Sequence, residues 1–324
     1  VSGAAAHVSV VIPNWNGRGW LPRCLAAIEG QEVSPIEVIV VDNGSSDGSL
    51  EYLREAHPDV RAISLGQNTG FAHAANCGIR AAQAEFVALV NTDVVLSPDW
   101  LARLTRALDE PGIGSVACKM LSLEDRDRVY DAGDILRRDG ACEQRGRFAR
   151  DDGRWDVPGE VFGACAGAAL YRREALLELG GFDERYFAYL EDVDLALRLA
   201  LRGWRCRYEP AVALHAGGAS ASQLPGGPER LVARNTLVLV AKSFPLKWLP
   251  FVAYRQLGWI YHALRTRRLA SHLRGLIQAL PMLPGALRER RRLRLEARVP
   301  IEAVVPARPF KGPRAGGHPA QIGA

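Results

Sequence analysis

Three carboxylates, Glu191, Asp192 and Asp194, fall within four residues at the start of an apolar-periodic run, Leu190 to Leu201. Acidic groups in the first turn of a helix gain from its dipole yet repel one another, so one of them is poised to act as a general base. Asp192 is the candidate for that role, with Glu191 beside it. A solvated acidic turn is the plainer reading, in which Arg198 is only the ion-pair partner of Asp194 four residues earlier. Asn91-Thr92-Asp93 closes the apolar run Phe86 to Val90 and would project a carboxylate from a strand end. A hard divalent cation such as Mg²⁺ or Mn²⁺ takes oxygen ligands and keeps several waters, so one carboxylate plus phosphate oxygens can hold it. His215, after a second strand-like stretch, is a further candidate metal ligand.

Polar strand ends recur nearer the N-terminus. Pro13-Asn14-Trp15-Asn16-Gly17 and Asp42-Asn43-Gly44-Ser45-Ser46-Asp47-Gly48 each follow an apolar run. Carboxylate and amide side chains at such ends can read a nucleotide base and ribose, and Asp42 is placed for this. Turn chemistry, with Asp47 capping a helix, explains the same residues without a ligand. Gln67-Asn68-Thr69-Gly70-Phe71 precedes a helical pattern bearing Asn76, and an open helix N-terminus beside a glycine suits an anion.

The elements that must position these residues alternate. Strands are expected at Val8 to Pro13, Ile36 to Asp42, Val60 to Leu65 and Glu85 to Val90, with helices at Trp20 to Glu29, Asp47 to Ala56 and Ala72 to Gln83. This β-α rhythm calls for a parallel sheet covered on both faces, whose ligands bind beyond the carboxyl ends of the strands. Residues 120 to 160 lack periodicity and read as a long excursion or short hairpins. Strand-like stretches follow at Cys206 to Glu209 and Val212 to Leu214. Later, Leu269, Leu273, Leu276, Ile277 and Leu280 make an amphipathic helical stripe.

With 48% hydrophobic and 24% charged residues, the 324-residue chain can build a sizeable core. Six cysteines without a CxxC pair argue against a disulfide framework or a structural zinc site. No secretory signal is visible, which makes the cytoplasm the default. The net charge of +5 conceals a division: residues 1 to 229 hold 23 basic against 33 acidic residues, whereas residues 230 to 299 hold 15 basic residues against only Glu289 and Glu296. Interleaved with aliphatic and aromatic stretches, that basic region suits an anionic membrane surface rather than nucleic acid. Alternatively Trp248, Phe251, Trp259 and Tyr261 are core residues of a helical appendage. No apolar run reaches the ~18 residues of a spanning helix, and residues 300 to 324, rich in Pro, Gly and Ala, read as a flexible tail.

Together VSVVIPNWNG, IEVIVVDNGSSDGS, NTGFAHAANCGI, ALVNTDVVLSPDWL, GGFDERYFAYLEDVDLALRLALRGW and LHAGGAS resemble the family 2 glycosyltransferases, on the branch similar to bacterial rhamnosyltransferases of cell-surface polysaccharide synthesis. The resemblance runs from about Val8 to Ser220. It implies an α/β, Rossmann-like, mixed but mainly parallel sheet of GT-A type, here with a C-terminal helical extension. It also implies inverting transfer of a sugar from a nucleotide-diphospho-sugar, with a thymidine or uridine base, to a glycan or polyprenyl-linked acceptor; docking of the basic region would put that reaction on the inner face of the cell membrane. Carried over residue by residue, Pro13, Asn14, Asn16, Asp42, Asn43, Asn68, Gly70, Phe71, Asn76, Asn91 and Thr92 line the donor pocket. Asp93 matches the last Asp of the metal motif, whose first carboxylate is here Asn91, and His215 matches a late metal-binding His. Asp192 matches the base, and Gly163, Ala164, Cys165 and Asp194 fall on the acceptor side. Homo-oligomerisation is left open. A sugar nucleotidyltransferase would want more basic residues after the first strand than Arg18, a dehydrogenase would want GxGxxG, and a membrane-surface scaffold has no need of clustered carboxylates.

Overall fold

The computed structural model describes residues 6–217 and 227–307. Its centre is one mixed sheet. Strands β1 (Ala6–Asn14), β2 (Pro35–Asp42), β3 (Arg61–Ser64) and β4 (Phe86–Val90) are all parallel and lie in the order β4-β1-β2-β3. Helices α1 (Leu21–Glu29), α2 (Ser49–Ala56) and α3 (Phe71–Ala81) make the crossovers. Because the chain moves outward through β1, β2 and β3 and then returns to the far side of β1, the order reverses between β1 and β4. A crevice for ligands belongs at such a reversal.

Beyond β4 the sheet turns mixed. Short β5 (Val94–Leu96) is followed by α4 (Trp100–Leu108) and by the ten-residue β6 (Ile113–Ser122), of which all but Ser122 is buried. Then come β7 (Val129–Asp131), the hairpin β8 (Asp134–Leu136) and β9 (Cys142–Gln144), β10 (Gly159–Val161), β11 (Ala168–Arg172), α5 (Arg173–Glu178) and α6 (Glu191–Leu201). Strand β11 inserts antiparallel between β4 and β6. The two strand-like stretches expected near residue 210 are one strand, β12 (Arg205–His215), parallel to β6 with a register shift between Glu209 and Val212 around Pro210. Residues 120 to 160 thus supply the end of a core strand and several short ones.

Alternation along the strands divides the core into two layers. Val8, Val10 and Ile12 pack with α1 and α4, while Val11, Ile39 and Val41 pack with α3. A third cluster joins Val193, Leu197 and Leu201 of α6 to Val238 and Leu239 of α7 (Gly227–Ser243) and to Phe244, Trp248 and Val252. The basic C-terminal region therefore shares a core with the acidic helix. It continues as α8 (Leu249–Arg265), α9 (Leu269–Ala279), α10 (Leu283–Glu296) and α11 (Ile301–Val304).

The apolar stripe expected on α9 faces outward: Leu273, Ile277 and Leu280 are exposed, and His272, Gly275 and Ala279 face inward. The cause is close helix packing. A Cβ on Gly275 would lie 3.0 Å from Ala233 Cβ and would collide with the Arg230 carbonyl of α7, so only small residues fit this seam. Of the four aromatic residues offered as core, Trp248 is buried, while Phe251 and Tyr261 are exposed. All cysteines are free, and Cys24, Cys118 and Cys206 are buried. Residues 218–220 of the LHAGGAS motif, and 308–324 of the C-terminal tail, lie outside the described residues.

Candidate active site

The strand ends at the reversal meet. A Cβ on Gly17 would lie 2.9 Å from Thr92 Oγ1, so the loops after β1 and β4 touch, and one on Gly44 would stand 2.5 Å from the Gln67 backbone. Amide side chains lock these loops. Asn14 Nδ2 donates to Asp42 Oδ1 (2.9 Å) and to Ser45 Oγ. Asn43 donates to Asn68 Oδ1 and the Gly70 carbonyl, and accepts from Thr69 N and Oγ1 at 2.8 Å. Asn16 Oδ1 accepts from Ser46 N, and Asp47 accepts from Ser49 N at the start of α2.

This corrects the role of several residues placed in the donor pocket. Asn43 spends its amide on the 67–70 loop. Asn76 donates to the Phe182 carbonyl and Glu184 and accepts from Phe182 N, tying α3 to the segment before α6. Phe71 stacks edge-on against Phe182. Asp42 is fully buried, with its oxygens on Asn14 and Ser45 N, so a base reaches it only if the Ser45 turn shifts. Asn14 Oδ1, in contrast, is buried without a partner.

The β5–β12 ladder opposes His215 to Val94 and so brings the two proposed metal ligands together. His215 Nε2 lies 3.2 Å from Asp93 Oδ1, and Ala216 N donates to the Asp93 carbonyl. Burial pushes the Asp93 pKa up, but the hydrogen bond and charge of His215, with backbone donors including Gly217, outweigh it and hold the carboxyl below its ordinary value. His215 Nδ1 is buried without a partner, and the ring packs against Tyr130. A carboxylate paired with an imidazole whose Nδ1 is unpartnered is a donor set that fits a divalent cation. The described residues offer no cluster of three or more metal-ligating side chains. A cation held here would neutralise negative charge on a departing diphosphate.

Before α6 the backbone is held in an unusual form. Phe187, Tyr189 and Leu190 all have positive φ, which non-glycine residues rarely adopt and which costs about 1–3 kcal/mol each. Asn235 of α7, fully buried, donates to the carbonyls of Ala188 (2.9 Å), Tyr189 (2.6 Å) and Tyr186 (3.1 Å). Its amide clamps the segment that presents Glu191 and Asp192.

Two further carboxylates surround this pair. Asp131 and Asp134, from the aperiodic 120–160 stretch, are buried, and each has an oxygen without a partner, as does Glu191. Burial raises the Asp131 pKa to about 7, with the nearby Asp192 charge adding to it. Burial, followed by neighbouring carboxylate charge, pushes Asp134 and Glu191 well up. Burial raises Asp192 too, but it alone among these four is only half-buried and accepts from two backbone N–H groups, Val193 (2.8 Å) and Ala166 (3.3 Å). Crowded carboxylates resist ionising together; Asp131 has one backbone donor, Gly133 N (2.6 Å), and Asp192 has two and the greater exposure. Asp192 is thus the best-placed candidate among the four for a group that takes a proton.

Asp194 does not belong on the acceptor side. It is fully buried, pairs with Arg198 Nε (2.7 Å) and Lys242 Nζ (2.8 Å), and accepts from the Tyr186 hydroxyl, so it anchors α7 to α6. Gly163 and Ala164 are buried too: Gly163 packs on Ala196 and its carbonyl accepts from Asp134 N, and Ala164 O accepts from the Tyr171 hydroxyl. Cys165 is half-buried. The same loop links the two halves of the site, since Ala166 N donates to Asp192 and the adjacent Gly167 carbonyl accepts from Asn91 N (2.8 Å). Sequence reasoning missed Asp131, Asp134 and Asn235; the first two carry the only readable signal, paired acids flanking Gly133.

A family model described as glycosyl transferase family 2 matches residues 9–180. An N-acetylglucosaminyl-diphospho-decaprenol L-rhamnosyltransferase of Mycobacterium tuberculosis is 30% identical over 306 residues, covering 85% of this chain and 92% of that protein. Among solved structures, S. aureus TarS 1-349 in complex with UDP-GlcNAc aligns with TM-score 0.59 at 18% identity, over 90% of this chain and 83% of that one. GalNAc-T7 with UDP, GalNAc and Mn²⁺ aligns with TM-score 0.62 at 15% identity, over 77% and 50%. These two likenesses are of fold.

Proposed function

The chain belongs to glycosyl transferase family 2, and we propose that it moves a sugar, rhamnose foremost, from a nucleoside-diphospho donor to a hydroxyl of a prenyl-diphosphate-linked glycan with inversion. The observation that supports this reading is the link through Ala166 and Gly167, which bond to Asp192 and to Asn91, two residues before Asp93. Asp192 takes the proton of the attacking hydroxyl. Asp93 and His215 would hold a divalent cation, which would neutralise charge on the donor diphosphate, and Asn14 Oδ1, buried without a partner, would accept from a ribose hydroxyl or a base N–H once the Ser45 turn opens. The acceptor class is that named for the mycobacterial relative.

Residues 249–296 support docking on an anionic membrane surface. Leu257, Tyr261 and Leu264 share one exposed face of α8, Leu273 and Ile277 are exposed on α9, and the basic residues Arg265, Arg274, Arg288 and Arg294 of the same region are exposed. Among the described residues no helix is long and apolar enough to cross a membrane. Triple substitution Leu257→Glu, Tyr261→Glu, Leu264→Glu should abolish flotation with phosphatidylglycerol vesicles; unchanged flotation refutes the docking.

The test of the reaction is nucleoside diphosphate release from a panel of thymidine and uridine diphospho-sugars, with a GlcNAc-diphospho-prenol acceptor and Mg²⁺ or Mn²⁺. Acceptor-dependent release that EDTA abolishes is expected. Release from no donor, or release indifferent to EDTA, contradicts the proposal.

A further inference from the structure

We propose that a cavity between the β8–β9 hairpin and helices α8 and α11 binds the diphosphate of the prenyl-linked acceptor; this rests on the acceptor class proposed above. The cavity holds about 520 Å³ and is lined by Arg137, Arg138, Arg145 and Arg255, with Asp134 and Phe251 among its other walls. Such a volume suits a small ligand or the polar part of a larger one.

Its charges are incompletely matched. Arg255 pairs with Asp139 (2.5 Å) and Arg137 Nη2 with Glu143 (2.8 Å), but Arg137 Nε is buried without a partner. Arg138 donates to the carbonyls of Val305 and Glu302, and Arg145 to that of Ala132; neither pairs with a carboxylate among the described residues. Glu160, also on the wall, is taken by Arg205. These two guanidiniums line the cavity without an ion-pair partner: Arg138 lies over the Trp248 ring (4.9 Å) in the field of Glu302, and Arg145 lies over the Tyr208 ring (4.5 Å) in that of Asp131. Arginine forks converging on one space match the adjacent phosphates of a diphosphate.

The lining makes the ligand more specific. Asp134 on the wall packs against Gly163, which opens the loop whose Ala166 N donates to Asp192. Phe251 and Arg255 of α8 line the cavity too. A molecule seated here would have its phosphates among the arginines and its sugar toward Asp134. None of the donor-side residues Asn14, Asp42, Asp93 or His215 lines the cavity, so it is separate from the metal–diphosphate site.

The test is calorimetric titration of the full chain with farnesyl diphosphate in EDTA, which disables the metal-dependent donor site. The wild-type chain should bind farnesyl diphosphate and not farnesol. Arg137→Gln should weaken binding about tenfold, the loss of one charged hydrogen-bonding group. Ala303→Glu, at an exposed position of the rim, should weaken it similarly without touching an arginine. In transfer assays both variants should raise KM for the lipid-linked acceptor and leave KM for the donor unchanged. Equal affinity in all three chains, or farnesol binding as tightly as its diphosphate, overturns the proposal. So does a parallel loss of binding to phosphatidylglycerol vesicles, because the arginines would then read lipid headgroups. A wild-type chain that binds farnesyl diphosphate yet turns over no donor refutes the transferase reading instead.

Discussion

The two sides of the cleft are built in different ways. The proposed donor side is an edge of parallel strands whose loops are pinned by their own amides, Asn14 on Asp42 and Asn43 on Asn68 and Gly70. Every piece of it comes from the first hundred residues or from a strand paired to them. The proposed acceptor side is assembled from afar: a left-handed segment at Phe187 to Leu190, clamped by Asn235, and carboxylates from residues 131 to 192 packed without full hydrogen bonding. One side gets its geometry from topology; the other gets it from strain held in place by the C-terminal helices. Sites gain preorganisation in this way at a cost in stability that the rest of the fold must offset.

Several substitutions would break or sharpen that contrast. Asp93→Ala on the donor side should lower turnover about a thousandfold and remove the response to metal, as loss of a charge-stabilising group commonly does; metal-independent residual activity equal to wild type would remove Asp93 from the site. Asn235→Ala, remote from any substrate, should reduce kcat roughly ten- to a hundredfold while the donor KM stays constant, because only the base is misplaced. A rise in donor KM instead would show that the two sides are one unit. Gly70→Ala tests their contact directly. Its φ is +91° and a Cβ would stand 2.6 Å from the Phe187 carbonyl, so a loss of about 2–3 kcal/mol in denaturant unfolding is expected.

The smallest effect is a pH dependence. The Asp131 carboxyl, at about 7 in the fold against an ordinary 3.8, keeps a proton that the unfolded chain releases. Both states are protonated below 3.8, and between 3.8 and 7 stability therefore falls as pH rises, with the full penalty present above 7. Asp131→Asn should stabilise the protein more at pH 8 than at pH 4 in thermal melts. Equal shifts at both would mean that the carboxyl is not held neutral.

The donor side was legible because its elements obey simple periods. Val8 to Pro13, Ile36 to Asp42 and Phe86 to Val90 are apolar runs ending in turn chemistry, and their register alone brings Asn14 beside Asp42. Even Asp93 and His215, 122 residues apart, were readable as strand ends. What failed was whatever depended on contacts between distant segments. Asn43, in a loop, and Asn76, on α3, are amides near the expected crevice, yet their hydrogen bonds go to protein. Asp194 looks like its neighbours in sequence but turns onto Lys242, 48 residues away. The α9 stripe has helical period, and period does not say which face is covered; the glycine at 275 decided it.

The account centres on Asp192 as the proton acceptor, singled out from four crowded carboxylates by two backbone donors and partial exposure. The direct measurement is single-turnover sugar transfer by Asp192→Asn, with Glu191→Gln alongside and donor binding measured on both. Asp192→Asn should lower the chemical step by about 10³-fold or more with donor affinity unchanged, and Glu191→Gln should cost far less. Full transfer by Asp192→Asn, or a greater loss from Glu191→Gln, would contradict the assignment.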